Sequence, residues 1–362
     1  MQRCLSLVLL FFLPAALHAQ PLHAQPKFPS PADVRAEFKK LLDRPKIDLN
    51  VVVAPVAKDP EFLILRYTFA SEKKADGTIE RVPVLIVAPP GAKGKMPAVI
   101  CLHGTGGTKE SQMGFMKELA KRGIVGVAID ARYHGARSGG AKGAAAYNAA
   151  IVRAWKTKAG EPQEHPFYYD TCWDLWRTVD FLQTLKFIDG DRLGMIGFSM
   201  GGIQTWLAAA ADERIKVVVP AIGVQSFRWS LENDKWQGRA NTIKAAHTAA
   251  AKDLGETQVN QKVCRELWNK IIPGILDAFD CPSMLRLMAP RPLLILNGTQ
   301  DNNCPIDGAK LAFAAAEKAY KDAGASDRLR ILVEEVGHTV TPAQRQAALE
   351  WFERWLVLEK TK

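Results

Sequence analysis

Continuous apolar runs of five to eight residues alternate with amphipathic stretches along most of the chain. Phe62 to Phe69 and Val82 to Ala88 read as two strands, and Ala75-Asp76-Gly77-Thr78 between them is a turn signal, so the pair predicts a β-hairpin. Strands are then expected at Pro97 to Leu102, Ile124 to Ile129, Leu193 to Gly197, Ile215 to Val219, Leu293 to Asn297 and Leu329 to Val333. Helices are expected at Gly114 to Lys121, Asp170 to Leu185, Gly201 to Ala211, Asp307 to Ala323 and Pro342 to Leu358. In the second of these, Leu175, Val179 and Leu182 fall on one face. Apolar strands between amphipathic helices predict an α/β fold: a mostly parallel sheet of eight strands, the first two antiparallel, with helices on both faces.

Two stretches break the rhythm. A Gly/Ala-rich loop with room for a helix separates Ile129 from Asp170. Between Val219 and Pro292 lies a long segment with its own aromatics, Phe227, Trp229, Trp236, Trp268 and Phe279. Structureless connections of that length are uncommon, so a helical cap is expected at about 223–281. Trp229 and Trp236 are its candidates for contact with a substrate.

The N-terminus adds an export signal. Met1-Gln2-Arg3 is a short basic start, Cys4 to Leu17 is almost wholly apolar, and small residues with a polar break follow at Ala19-Gln20 and Ala24-Gln25. The apolar run is too short to cross a bilayer core of ~30 Å, so residues 1–24 read as a signal peptide cut after Ala19 or Ala24. An uncleaved anchor is the other reading. The mature chain would be secreted or periplasmic, with an N-terminal arm over residues 25–60 that holds a helical stretch around Ala32 to Leu42, and one main domain over 61–360.

Composition changes the picture little. The 362 residues are 48% hydrophobic and 24% charged, ordinary for a globular protein. The net charge of +10 is spread over scattered Lys and Arg with no basic run interleaved with aromatics, so neither nucleic acid nor stable membrane association is expected. Without Cys4, the cysteines are Cys101, Cys172, Cys264, Cys281 and Cys304, an odd number in no zinc-binding spacing. A disulfide or two is the most that could form, and no metal site is predicted.

The sharpest chemical signal is Gly197-Phe198-Ser199-Met200-Gly201-Gly202 between a predicted strand and a predicted helix. That is the context of a nucleophile elbow, in which a tight turn pushes the serine hydroxyl above the sheet. A serine needs a base to take its proton. In the chain order serine, acid, histidine, the base is His338, on the loop after Leu329 to Val333, and the acid is Asp301, on the loop after Leu293 to Asn297. Asp307 and Glu335 are rivals for the acid. An oxyanion hole needs two backbone N–H donors. Met200 is the expected first; the second comes from His103-Gly104-Thr105-Gly106-Gly107, with Thr105 ahead of Gly106. His103 lies upstream of the nucleophile and is expected to brace its loop, and Asp130 to Gly135 to link loops around the site.

The His-Gly loop, Asp130 to Gly135, the Gly-Phe-Ser-Met-Gly-Gly elbow, Asp301 and His338 resemble the α/β-hydrolase superfamily from Phe62 to Leu358. The chain looks most like its acetyl xylan esterase and dienelactone hydrolase-like branch, with serine where dienelactone hydrolases use cysteine. The resemblance implies an ester hydrolase working through an acyl-enzyme, without cofactor, on a small-molecule or polysaccharide ester. A carbohydrate- or partner-binding protein on the same scaffold, or an amide or peptide hydrolase, are the alternatives.

Overall fold

The computed structural model describes residues 28–55, 59–91 and 94–358; the signal segment lies outside them. Among the described residues, nine strands form one sheet in the order β1-β2-β3-β5-β4-β6-β7-β8-β9. They are β1 (Val52–Val53), β2 (Leu63–Lys73), β3 (Ile79–Ala88), β4 (Met96–Leu102), β5 (Val125–Ile129), β6 (Ile188–Phe198), β7 (Ile215–Ala221), β8 (Leu293–Gly298) and β9 (Leu329–Glu334). The strands from β5 through β9 pair in parallel, and β1, β2 and β3 pair antiparallel, β3 joining β5. Eight strands were expected. The ninth is the two-residue β1, exposed at the sheet edge against Thr68 and Tyr67, too short to leave a periodic signal.

The hairpin closes as its turn residues dictate. Gly77 takes φ +86°, the Lys74 N–H donates to the Thr78 carbonyl at 2.8 Å, and Asp76 accepts the Thr78 N–H.

Alternate strand residues feed two cores. Ala98, Ile100 and Leu102 of β4 face one, and Val99 and Cys101 face the other. The smaller core is covered by α2 (Met113–Ala120) and α12 (Pro342–Glu353). The larger is covered by α1 (Pro31–Leu42), α4 (Tyr169–Thr184), α5 (Met200–Ala211) and α11 (Ile306–Asp322). The helical stretch expected in the arm around Ala32 to Leu42 is α1, whose Val34, Phe38 and Leu42 are buried, with Phe38 edge-to-face on Tyr169 at 5.2 Å. The Gly/Ala-rich loop holds α3 (Ala145–Lys156).

Five helices fill the connection from β7 to β8: α6 (Phe227–Glu232), α7 (Gln237–Thr242), α8 (Lys244–Asp253), α9 (Gln261–Ile271) and α10 (Cys281–Leu285). Their interior, with Phe227, Trp268 and Ile271, is continuous with the larger core. Trp268 is fully buried and donates to His247 Nε2 at 3.1 Å.

This buried His247 is pH-sensitive by construction. Burial, above all, lowers its pKa from 6.5 to about 4, so it stays neutral in the folded chain while the unfolded chain takes up a proton near 6.5. Its contribution to stability is present above pH 6.5 and lost as pH falls from there towards 4. His247→Gln, which keeps an acceptor for the indole N–H, should flatten the slope of stability against pH in that window by up to about 1.4 kcal/mol per pH unit. Urea denaturation at pH 5 and pH 6 reads it, and an unchanged slope counts against the assignment.

The five cysteines of the described residues are free and buried, so none of the disulfides allowed by their number forms among them. Cys101, Cys172, Cys264 and Cys281 pack in the two cores as small apolar side chains, while Cys304 sits behind the Asp301 loop with its sulfur hydrogen-bonded. Among the described residues, no helix is long and apolar enough to cross a membrane.

Candidate active site

Strand β6 ends at Phe198 and α5 begins at Met200, leaving Ser199 alone in the turn at φ +56°, ψ −113°. A non-glycine residue there costs of order 1–3 kcal/mol, which packing must offset. It does so closely: the Ser199 N–H donates to Ala221 of β7 at 3.0 Å, and a Cβ on Gly197 would lie 2.1 Å from the Gly201 carbonyl oxygen. Only glycine fits at 197, and the turn lifts the Ser199 hydroxyl from the sheet at the N-terminus of a helix.

Ser199 Oγ lies 2.7 Å from His338 Nε2, and His338 Nδ1 lies 2.7 Å from Asp301 Oδ2. The sequence separates Ser199 from the other two by more than a hundred positions; the sheet unites all three because each follows a strand on its carboxyl rim. The loops after β8 and β9 are laced together, Thr299 N–H donating to Glu334 O at 2.9 Å and Gln300 N–H to Val336 O at 3.0 Å. Asp301 is buried, and its other oxygen accepts the N–H groups of Asn303 at 2.8 Å and Cys304 at 3.0 Å. Its carboxylate is thus aimed from both ends. The His338 side chain remains 27% exposed, enough for a substrate to reach it. Of the two rivals, Asp307 stands in the first turn of α11 and Glu335 is exposed; neither bonds to His338.

The His-Gly loop lies over the elbow. A Cβ on Gly104 would stand 3.6 Å from the Ser199 Cβ. Thr105 is exposed beside it, Gly106 turns at φ +79°, and Met200 is the first residue of α5, whose N–H has no intrahelical acceptor. His103 is buried and braces this loop. Its Nε2 accepts the Ala131 N–H at 3.1 Å, which leaves Nδ1 to donate to Gly104 O at 2.8 Å. Burial lowers its pKa, keeping the ring neutral as that pair of bonds requires. Asp130 accepts from the Lys109 ammonium and from the N–H groups of Lys109 and Ala136, joining the loops after β4 and β5. His134 is buried, donates to or accepts from nothing at Ser199, and packs on Tyr147 at 4.6 Å.

The two cap tryptophans have different surroundings. Trp229 lines a pocket of about 520 Å³ together with Gln237, Asn241, Asp307 and the 299–302 loop, Asp301 included. Trp236 packs on the main core and donates to Asp234.

Two features left no signal in the sequence. Arg132 and Arg137 enter a buried ion-pair network with Glu72, Glu80 and Asp174 beneath the 130–137 loop. Arg239, from the inserted segment, is buried behind the Asp301 loop.

Asp301, Cys304 and His338 bring three ligand-type atoms within 4.8 Å of one another. The Cys304 sulfur takes a hydrogen bond from the Arg239 guanidinium, so a cation there would meet a buried positive charge. The donor set does not suit a resident metal.

The acetyl xylan esterase family matches residues 29–228, more than half of the chain and the part that carries the elbow and the His-Gly loop. This chain belongs to that family. It is a hydrolase of the carboxylesterase type, serine-dependent as the family is. YtaP of Bacillus subtilis (strain 168), named as a hydrolase, is 26% identical over 290 residues, 76% of this chain and 84% of its own. Among solved structures, acetyl xylan esterase 1 from Thermoanaerobacterium sp. JW/SL YS485 is similar with a TM-score of 0.64 at 18% identity, covering 91% of this chain and 95% of that one. The acetyl xylan esterase from Paenibacillus sp. R4 has a TM-score of 0.62 at 20% identity, covering 92% and 97%. At such identities these two structures speak for the α/β-hydrolase fold of the esterase.

Proposed function

We propose that the esterase removes acetyl groups from a polysaccharide or a small ester by way of an acyl-enzyme, with Ser199 as nucleophile. The observation that carries the mechanism is the unbroken chain of two 2.7 Å contacts from Ser199 Oγ through His338 to Asp301. His338 Nε2 takes the hydroxyl proton as Ser199 attacks the ester carbonyl. The oxyanion is held by the N–H groups of Met200 and Thr105. His338 then returns the proton to the leaving alcohol, and water repeats the sequence to release the acid. Asp301 fixes the imidazole with its proton on Nδ1 and stabilises the cation. The acetyl preference rests on the family and on the acetyl xylan esterases of the same fold. The export-type N-terminus and scattered charge support work outside the cytoplasm without nucleic-acid partners.

A series of p-nitrophenyl esters of increasing acyl length tests the reading: kcat/KM should be highest for acetate and fall along the series. Cleavage of a matched anilide without cleavage of the ester would replace it with an amidase.

We also propose that Trp229, on the pocket that shares Asp301, contributes to the alcohol side of the site. Trp229→Ala should change the ratio of kcat/KM for a bulky and a small alcohol while moving Tm little. Trp268→Ala, in the cap core, should instead cost about 3–5 kcal/mol of stability and leave that ratio alone. If Trp229→Ala lowers both substrates equally, the tryptophan has no part in selection.

A further inference from the structure

The buried Arg239 serves no ion pair among the described residues, although its whole side chain is withdrawn from water. A buried guanidinium is costly unless its donors are used, and here one nitrogen is spent on the acid loop and the other two on residues packed around it. Nη2 donates to the Asn303 carbonyl at 3.0 Å and to Cys304 Sγ at 3.2 Å. Nη1 donates to the Tyr168 hydroxyl at 3.3 Å. Nε donates at 3.0 Å to Gln225, whose amide, oriented to satisfy both neighbours, also donates to the Asn303 carbonyl at 2.9 Å.

Asn303 and Cys304 are the residues whose N–H groups grip Asp301 from behind. The contact is reinforced by the preceding residue: a Cβ on Gly238 would stand 2.1 Å from the Asn302 carbonyl oxygen, so α7 rests directly on the acid loop. All the direct partners are neutral, Cys304 because burial pushes its thiol up to about 12 and Tyr168 because burial raises its phenol. Burial works against the charge of Arg239, and its surroundings, with the Asp301 carboxylate nearby and hydrogen-bond acceptors such as Tyr168 around it, outweigh that cost.

We infer that Arg239 is a positioning residue: from the inserted segment it clamps the 301–304 loop so that the Asp301 carboxylate meets His338, which makes the insertion part of the turnover machinery. The inference rests on Asp301 acting as the acid. It assigns the cap a role apart from shaping a pocket, since Arg239 acts behind the acid and reaches no substrate.

The test uses the full chain with Arg239→Met, Arg239→Lys and Gly238→Ala, each compared with Asp301→Asn. Active sites are counted by fluorophosphonate titration, so that kcat refers to folded enzyme only. Arg239→Met should lower kcat per titrated site by about 10- to 100-fold, since a small misplacement of a catalytic group costs that much, with KM within about twofold. Arg239→Lys, which keeps a cation able to reach the Asn303 carbonyl, should recover part of the loss. Gly238→Ala should repeat the kcat effect, since it presses on the same loop, and together with Arg239→Lys it carries the test if Arg239→Met does not fold. Unchanged kcat per site in the folded variants, or a loss confined to KM, overturns the inference. If Asp301→Asn itself retains kcat, the underlying assignment of the acid fails instead; if only Asp301→Asn collapses, the acid stands and the clamp falls.

Discussion

Ser199→Ala should lower kcat by about 10⁴-fold or more while the protein stays folded. The substitution removes one oxygen and nothing that holds the turn. The bond from the Ser199 N–H to Ala221 is a backbone bond, and the constraints at Gly197 and Gly201 are untouched. Alanine meets the same backbone demand at φ +56° that serine already meets. What is lost is the hydroxyl that His338 Nε2 contacts at 2.7 Å. The residual rate should come from binding and from the oxyanion donors, which the change leaves in place. Far-ultraviolet circular dichroism and Tm beside kcat separate the two effects. A variant that keeps kcat within about tenfold of the parent would place the nucleophile elsewhere.

The second large effect is expected at the acid. In Asp301→Asn the oxygen that accepts from Asn303 and Cys304 can remain, so the loop keeps its shape. The amide nitrogen then faces His338 Nδ1 at the place of Oδ2. A donor there forces Nδ1 to accept, which moves the imidazole proton to Nε2, where it faces Ser199 and blocks proton abstraction. The wrong tautomer should cost about 10⁴-fold in kcat with little change in Tm. Asp307→Asn and Glu335→Gln, which do not touch His338, should stay within about twofold. A collapse in Glu335→Gln with activity retained in Asp301→Asn would reverse the assignment.

The parts of this molecule that were legible in the sequence share a physical cause. Parallel strands buried on both faces leave continuous apolar runs, and groups of this site sit where such runs end. Ser199, Asp301 and His338 could therefore be placed on one rim from local pattern alone. The hairpin was legible because Asp76 and Gly77 meet the demands of a tight turn. The inserted segment was visible only as a length and a cluster of aromatics. Helices α6, α7 and α10 have six, six and five residues, too few for a 3.6-residue period to repeat. Arg239 was silent for a different reason. Its partners in the Asp301 loop lie more than sixty residues away, and nothing local distinguishes a buried arginine from a surface one. The same holds for Arg132 and Arg137, whose carboxylate partners come from β2, β3 and α4.

The central claim, an acyl-enzyme on Ser199, is tested most directly by stopping the reaction in acid during steady-state turnover of an activated acetate ester and mapping the adduct by peptide mass spectrometry. The account predicts one acetyl group, carried by Ser199, absent from Ser199→Ala and lost on longer incubation as water completes the cycle. Acetyl found on another residue in step with turnover, or turnover undiminished in Ser199→Ala, would contradict it.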